Sequence, residues 1–366
     1  MSADSLAVRR AASGKLFALQ LLRAVAATAV VIAHVRYDFV HHLGLPRALP
    51  GVLNAGSGGV DLFFVISGFV MVYSSETLFG RDRAAAIFLT RRIARIVPLY
   101  WLMTAVMVAY CAVRGFTVSD TGPAHAMLSF LFVPYPRPSG EMSPVYGVGW
   151  TLNYEMFFYA IFALCLAARR ELTVVRVAVV LAVLAIGGGL WPGLPGALGV
   201  WTDPIVLEFV FGMMLALAYR RGARLPRWAP APMLVAALAA ILGYNEWGTA
   251  LLPRWCGFGL PAALMAAALT LVDRDVAIGW VDRVGDASYA LYLCHPVVIA
   301  VVRMLSQKGL IDPAVMAWVY LCAVVALSIG AALLLYRLVE VPLTGRVRRL
   351  LAGLAAPGRR ARAPVS

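Results

Sequence analysis

Lysine is almost missing from this chain. Lys15 and Lys308 are the only two, so the 32 basic residues and the formal charge of +14 are nearly all arginine. Coding bias is the plain account of that preference at most positions. Charge of either sign is scarce: 14% of residues are charged and 62% hydrophobic, with a mean hydropathy of +0.82. Soluble domains run nearer about 25% charged and about 45–50% apolar, so this composition excludes one and leaves a polytopic membrane protein. The five cysteines, Cys111, Cys165, Cys256, Cys294 and Cys322, lie in or beside apolar runs with no C-x-x-C spacing. That excludes a disulfide framework and a thiolate metal site, and the cysteines read as small core residues. No H-E-x-x-H, P-loop or G-x-G-x-x-G is present, so neither a metal nor a Walker-type nucleotide site has support. No linker, repeat or low-complexity run marks a second domain. The first apolar stretch is long, contains Arg23 and lacks a small-x-small cleavage site, which argues against a secretory signal.

What is abundant is apolar length. Stretches able to cross a bilayer, at about 20 residues each, fall near 16–35, 58–79, 97–113, 148–168, 172–190, 203–219, 230–245, 249–272, 286–305 and 314–339. The segment 124–134 is too short to cross and either lies at the interface or folds back. Arginine sorts to alternate sides of this map. One side holds Arg9, Arg10 and Lys15, then Arg81, Arg83, Arg91, Arg92 and Arg95, and later Arg220, Arg221, Arg224 and Arg227. The other holds only Arg36, Arg47, Arg114, Arg137, Arg254, Arg303 and Lys308. The positive-inside rule explains the basic excess without nucleic acid. The expectation is an all-α polytopic membrane protein of about ten transmembrane helices with both termini cytoplasmic. A tail over 1–15 precedes one membrane domain, 16–345, and a basic, disordered tail over 346–366.

Ionisable residues at membrane depth are costly and mark functional sites by default. Arg23 and His34 flank ten apolar or small residues, Ala24 to Ala33, in the first span. On a helix they face within about 20° of each other, about 16 Å apart along the axis. Asp61 begins the second span in Gly59-Val60-Asp61-Leu62-Phe63-Phe64-Val65-Ile66-Ser67-Gly68-Phe69, at the expected depth of His34. It is either an interfacial acid matched to the helix dipole or part of a site, and Ser67-Gly68 is equally readable as small-residue packing. Arg92 and Arg95, just before the third span, share a helical face and suit phosphate recognition as well as lipid headgroups. Trp150 alone reads as an interface aromatic. Glu155, a turn into the fourth span, needs a cationic partner at that depth. Ser288, Tyr292 and His295 recur at i, i+4 and i+7 in the ninth span, and His295 reads first as a hydrogen-bonded structural histidine. Arg337 and Glu340 are spaced to pair locally.

In this order those pieces resemble the membrane-bound acyltransferase 3 family. The residues that carry the resemblance are Arg23 with His34, Gly59 to Phe69, Arg92-Ile93-Ala94-Arg95 before Pro98, Trp150-Thr151-Leu152-Asn153-Tyr154-Glu155 with Phe158-Tyr159, and Ser288-Tyr289 with Tyr292-Leu293 and His295. The Leu19-Gln20 opening and the Gly149 to Tyr159 run look like the exopolysaccharide-acetylating branch. Many members instead open Leu-Asp-Gly-Leu-Arg, so Gln20 and Leu21 depart from that pattern. The resemblance implies transfer of an acetyl or other short acyl group from acyl-coenzyme A, here acetyl-CoA, to a hydroxyl of an exopolysaccharide or lipid-linked envelope glycan. It implies a bacterial inner membrane setting among membrane lipids, with no metal. Transfer would be completed within the membrane unit or with a separate partner. On this reading His34 is the general base, Glu155 or Asp61 orients it, and Arg23, Arg92 and Arg95 hold the donor. Trp150, Ser67, Tyr292 and His295 are candidates for substrate contact. Direct transfer and an acyl-enzyme on Ser67 or Cys294 both stay open. The competing expectations are a transporter of small anions or glycan units, and an acyltransferase acting on a small acceptor such as a macrolide sugar.

Overall fold

The computed structural model describes residues 16–113, 122–137, 140–248, 250–272 and 278–355. The expected tail over 1–15, Arg114, Arg274 and residues 356–366 lie outside the described residues. Among the described residues the chain is helical, with only an isolated bridge between Pro136 and Met142 in place of a strand. In chain order the helices are α1 (Phe17–His41), α2 (Gly59–Ser74), α3 (Ala84–Val113), α4 (Pro123–Phe130), α5 (Trp150–Cys165), α6 (Arg170–Leu190) and α7 (Gly196–Trp201). They continue with α8 (Leu207–Arg220), α9 (Pro230–Gly243), α10 (Leu260–Thr270), α11 (Gly279–Asp286), α12 (Ser288–Gln307), α13 (Ala317–Leu335) and α14 (Val341–Ala355).

A helix stands in each of the ten stretches the hydropathy marks out. Six segments are long and apolar enough to cross a bilayer: Phe17–His41, Gly51–Ser74, Ala84–Val113, Arg170–Leu190, Ser288–Gln307 and Ala317–Leu351. The other four helices are shorter; α8 and α9 have 14 residues each, about 21 Å at 1.5 Å per residue. The short segment near 124–134 is the eight-residue α4. It docks on α3, where Tyr100 donates to the Ser129 carbonyl at 3.1 Å and Trp101 to that of Phe130 at 2.8 Å.

Three expectations change. The third span was expected to begin near residue 97 with its arginines ahead of it, yet α3 starts at Ala84 and runs 30 residues through Pro98. Arg91, Arg92 and Arg95 therefore project from a continuous helix, because backbone bonding is local and does not stop where hydropathy falls. The basic segment from residue 346, expected to be disordered, is helical as far as Ala355. Asp61 is also not at His34's level. A 3₁₀ stretch, Gly51–Gly58, descends along α1 before α2 begins. The small faces of Gly56 and Gly59 lie on the carbonyls of Ala29 and Ala26, about 7.5 Å and about 12 Å of helix rise below His34 respectively.

Close glycine contacts also lock α2 to α8. A Cβ on Gly68 would strike the Phe209 carbonyl, and one on Gly212 the Val65 carbonyl. In lipid, where apolar burial gives helices little reason to associate, such close approach is what holds them. Beside this seam Phe158 stacks on Phe209 with centroids 4.3 Å apart, and Phe64 packs on Phe209 at 4.7 Å. α1 runs through the middle, touching α2, α11, α12 and α13.

Candidate active site

Two cavities meet along α1. The wider, about 800 Å³, is lined by Arg23, Arg91, Arg92, Arg95, Arg220 and Arg348, with Glu76, Asp286 and Glu340 among them. The narrower, about 120 Å³, is lined by apolar Phe63, Phe64, Ile66 and Met71 and by polar Ser67, Thr151, Glu155, Tyr159, Ser288, Tyr289 and Tyr292. Arg23, Val70, Arg92 and Arg95 line both and form the neck between them.

The neck arginines are held from different helices. Arg23 Nε donates to Ser288 Oγ at 3.1 Å, and next to it Gln20 Nε2 donates to Asp286 Oδ1 at 2.9 Å. Arg92 donates from Nη2 to Ser74 Oγ at 2.6 Å, and its guanidinium lies over the rings of Phe88 (5.6 Å) and Tyr159 (6.0 Å). Its Nε is buried without a hydrogen-bond partner among the described residues. Arg95 makes no hydrogen bond or ion pair there, so its donors are unspent. The buried Glu340 has Arg95 and Arg23 as its cationic neighbours; it does not pair with Arg337 as its spacing predicted. A π-helical turn over Tyr336–Glu340 changes the register on which that pairing depended.

In the narrow cavity Glu155 is the hub. Ser67 Oγ donates to Glu155 Oε1 at 3.0 Å, and Tyr159 donates to the same oxygen. Oε2 carries no bond among the described residues. Arg92 is close enough to act on Glu155 electrostatically. Tyr292 donates to the Val148 carbonyl at 2.8 Å and accepts from Thr151 Oγ1 at 3.0 Å. Its ring closes the cavity together with Phe63, 6.0 Å away between centroids.

His34 lies beyond that wall and lines neither cavity. It is half-buried. Its Nδ1 is 2.9 Å from the Val30 carbonyl. A carbonyl only accepts, so the proton sits on Nδ1 and Nε2 is left as the basic nitrogen. Its ring neighbour is His295, centroid to centroid 4.8 Å at 69°, and His295 is 5.9 Å from Tyr292. Among the described residues neither expected carboxylate bonds to His34. Glu155 is engaged by Ser67 and Tyr159. Asp61, fully buried, takes Arg254 Nε at 3.0 Å and Nη2 at 2.6 Å, while Arg254 also donates to the Ser57 carbonyl. Trp150 sits against Tyr154 at 5.9 Å and outside both cavities. The polar stripe on α12 does share one direction: Ser288 meets Arg23, Tyr292 walls the cavity and His295 meets His34.

Sequence reasoning passed over Arg254, which looked like a loop charge, and Glu208, buried beside the Asp61 pair. The signal for Glu208 was available, since an acid inside Leu207-Glu208-Phe209-Val210-Phe211 is as costly as Glu155.

Residues 16–337 match the family model described as an acyltransferase domain. The chain is 37% identical to the exopolysaccharide production protein ExoZ of Rhizobium meliloti, over 82% of this chain and 94% of that one. It is 28% identical to the acyltransferase MdmB of Streptomyces mycarofaciens, over 76% of this chain and 77% of that one. To the peptidoglycan O-acetyltransferase OatA of Listeria monocytogenes it is 24% identical, over 75% of this chain and 48% of that longer protein. No solved structure matches the chain.

Proposed function

Because this chain belongs to the acyltransferase family whose domain spans its residues 16–337, and is an acyltransferase, we propose that it moves an acetyl or similarly short acyl group from acyl-coenzyme A to a hydroxyl of an exported polysaccharide or its lipid-linked precursor. The observation that carries this reading is the basic chamber of about 800 Å³ that narrows, at Arg23, Arg92 and Arg95, into a chamber of about 120 Å³. A nucleotide with several phosphates fits the first by charge. A slender thioester arm fits the second by size. Likeness to an exopolysaccharide production protein along nearly all of its length favours a polysaccharide acceptor over a small metabolite.

In this reading the chain crosses a bacterial inner membrane about ten times with both termini inside, and the basic chamber opens to the cytoplasm. The parallel run of α1 and α12 supports it, since helices pointing the same way have an odd number of crossings between them, and this map puts seven there. Arg23, Arg92 and Arg95 hold the donor phosphates. Glu155 Oε2 takes an amide N–H of the donor arm, and its charge balances the neck arginines. Phe63 and Tyr292 stand where acyl arm and acceptor meet. His34 removes the acceptor's proton through Nε2, a task suited to an imidazole near neutral pH.

The test is incubation of the purified protein with acetyl-labelled coenzyme A thioester and the polysaccharide of its host. Label in the polysaccharide is expected, as is loss of acetyl NMR signals from the polysaccharide of a deletion strain. Passage of donor or glycan across vesicles without label transfer would overturn the reading in favour of a carrier.

A further inference from the structure

The chemistry above leaves several buried groups without work, and one of them lies against the proposed base. His295 is fully buried on α12. Its Nδ1 lies 3.2 Å from the Leu291 carbonyl, so the proton is on Nδ1 and Nε2 presents a lone pair. That Nε2 is buried with no hydrogen-bond partner among the described residues. Burying an acceptor unpaired is unfavourable, and native structures rarely tolerate it without a reason. The ring beside it is His34, edge to face at 4.8 Å.

Most other polar groups near the two histidines are engaged, although Asp38 Oδ2 and Ser328 Oγ are buried without a partner among the described residues. Asp38, one turn along α1, is taken by Arg303 and His42. Tyr292 donates to the Val148 carbonyl and Tyr146 to that of Leu293. Cys294 turns its Sγ to the carbonyls of Leu291 and Ser328. Asp61 and Glu155 are bound elsewhere. Of the acceptors left over, the lone pair on His295 is the one whose ring lies against His34.

We propose that His295 is the positioning partner of His34 once that ring is protonated: its Nε2 lone pair accepts a hydrogen bond from the Nε2–H that His34 acquires. The inference rests on His34 being the base. In the transfer the acceptor O–H breaks, its oxygen bonds to the acyl carbon, and the C–S bond breaks with the electron pair leaving on sulfur. The proton rests on His34 Nε2, shared with His295 Nε2, until the thiolate takes it. A carboxylate usually fills this post. A neutral imidazole does so without placing a second charge at membrane depth, where charge is expensive.

His295→Phe keeps the ring's bulk and removes the lone pair, and His295→Gln keeps an acceptor. The first is expected to lower kcat by about a hundredfold with the donor KM unchanged, and the second to recover at least about tenfold of that loss. Combined with His34→Ala, His295→Phe should add no further loss, because it acts through His34. If Phe does not fold, Leu makes the same comparison, with monodispersity and melting temperature as controls. A normal kcat in the Phe variant, additive losses in the double variant, or a folded Gln variant as slow as Phe would each overturn the pairing. Should His34→Ala itself transfer acyl groups normally, the base assignment falls and the pairing with it; a silent His295→Phe beside a dead His34→Ala removes the pairing alone.

Discussion

Arg23 and Ser288 are joined by a hydrogen bond of 3.1 Å between α1 and α12. The same two helices meet again at His34 and His295. The proposed donor-binding cation and the proposed base are thereby fixed on one helix and braced twice from another. Loss of one hydrogen bond to a charged group costs about 1.5–3 kcal/mol. Ser288→Ala should raise the KM for acyl-coenzyme A by about tenfold while kcat at saturation holds. Steady-state kinetics in detergent or nanodiscs checks this.

Arg92→Ala with Arg95→Ala should remove the donor. Each guanidinium given up is worth about 1.4 kcal/mol or more, a factor of about ten in affinity apiece. Isothermal titration with coenzyme A reads the change, and unaltered binding would take the phosphates away from these side chains.

His34→Ala should leave donor binding intact and lower kcat by about 10²- to 10⁴-fold, the usual range for a lost general base. The comparison is of label transfer against coenzyme A binding on one preparation.

Asp61→Ala would leave Arg254 without its buried carboxylate partner. Breaking a buried ion pair costs about 3–5 kcal/mol, and the partial exposure of Arg254 (36%) places this case at the low end. A marked fall in melting temperature is expected even with donor present. A stable, slow Asp61→Ala protein would instead move Asp61 into the chemistry.

Gly68→Val should damage the α2–α8 seam, since even one carbon strikes the Phe209 carbonyl. Overpacking of this kind costs about 1–3 kcal/mol. Ser67 and Phe63 ride on the same helix, so activity should fall with stability, and a thermal melt followed by an activity assay separates the two.

Much of this site was readable from residue types alone. An arginine and a histidine in an otherwise apolar run announce themselves by desolvation cost, and the i, i+4, i+7 spacing of Ser288, Tyr292 and His295 puts them on one face. What stayed hidden was depth and partnership. Asp61 reads as level with His34 only if α2 starts at the surface, and nothing in hydropathy reveals that Gly51–Gly58 descends first. Glu155 needs a partner by any reading, but whether that is a histidine or Ser67 and Tyr159 depends on how α2, α5 and α12 pack. Arg254 looks like one more loop charge until its buried acid is known. The arginines of α3 read as lying ahead of the span because hydropathy drops there, although one helix carries them and the span together.

The narrowing at Arg23, Arg92 and Arg95 has a consequence for the cell. On the proposed function a bulky, multiply charged carrier would stop at the constriction while its small cargo continued, and spent thiol would back out by the way it entered. Sugar outside would then be decorated and the cytoplasmic coenzyme pool conserved, without a separate exporter for the activated group.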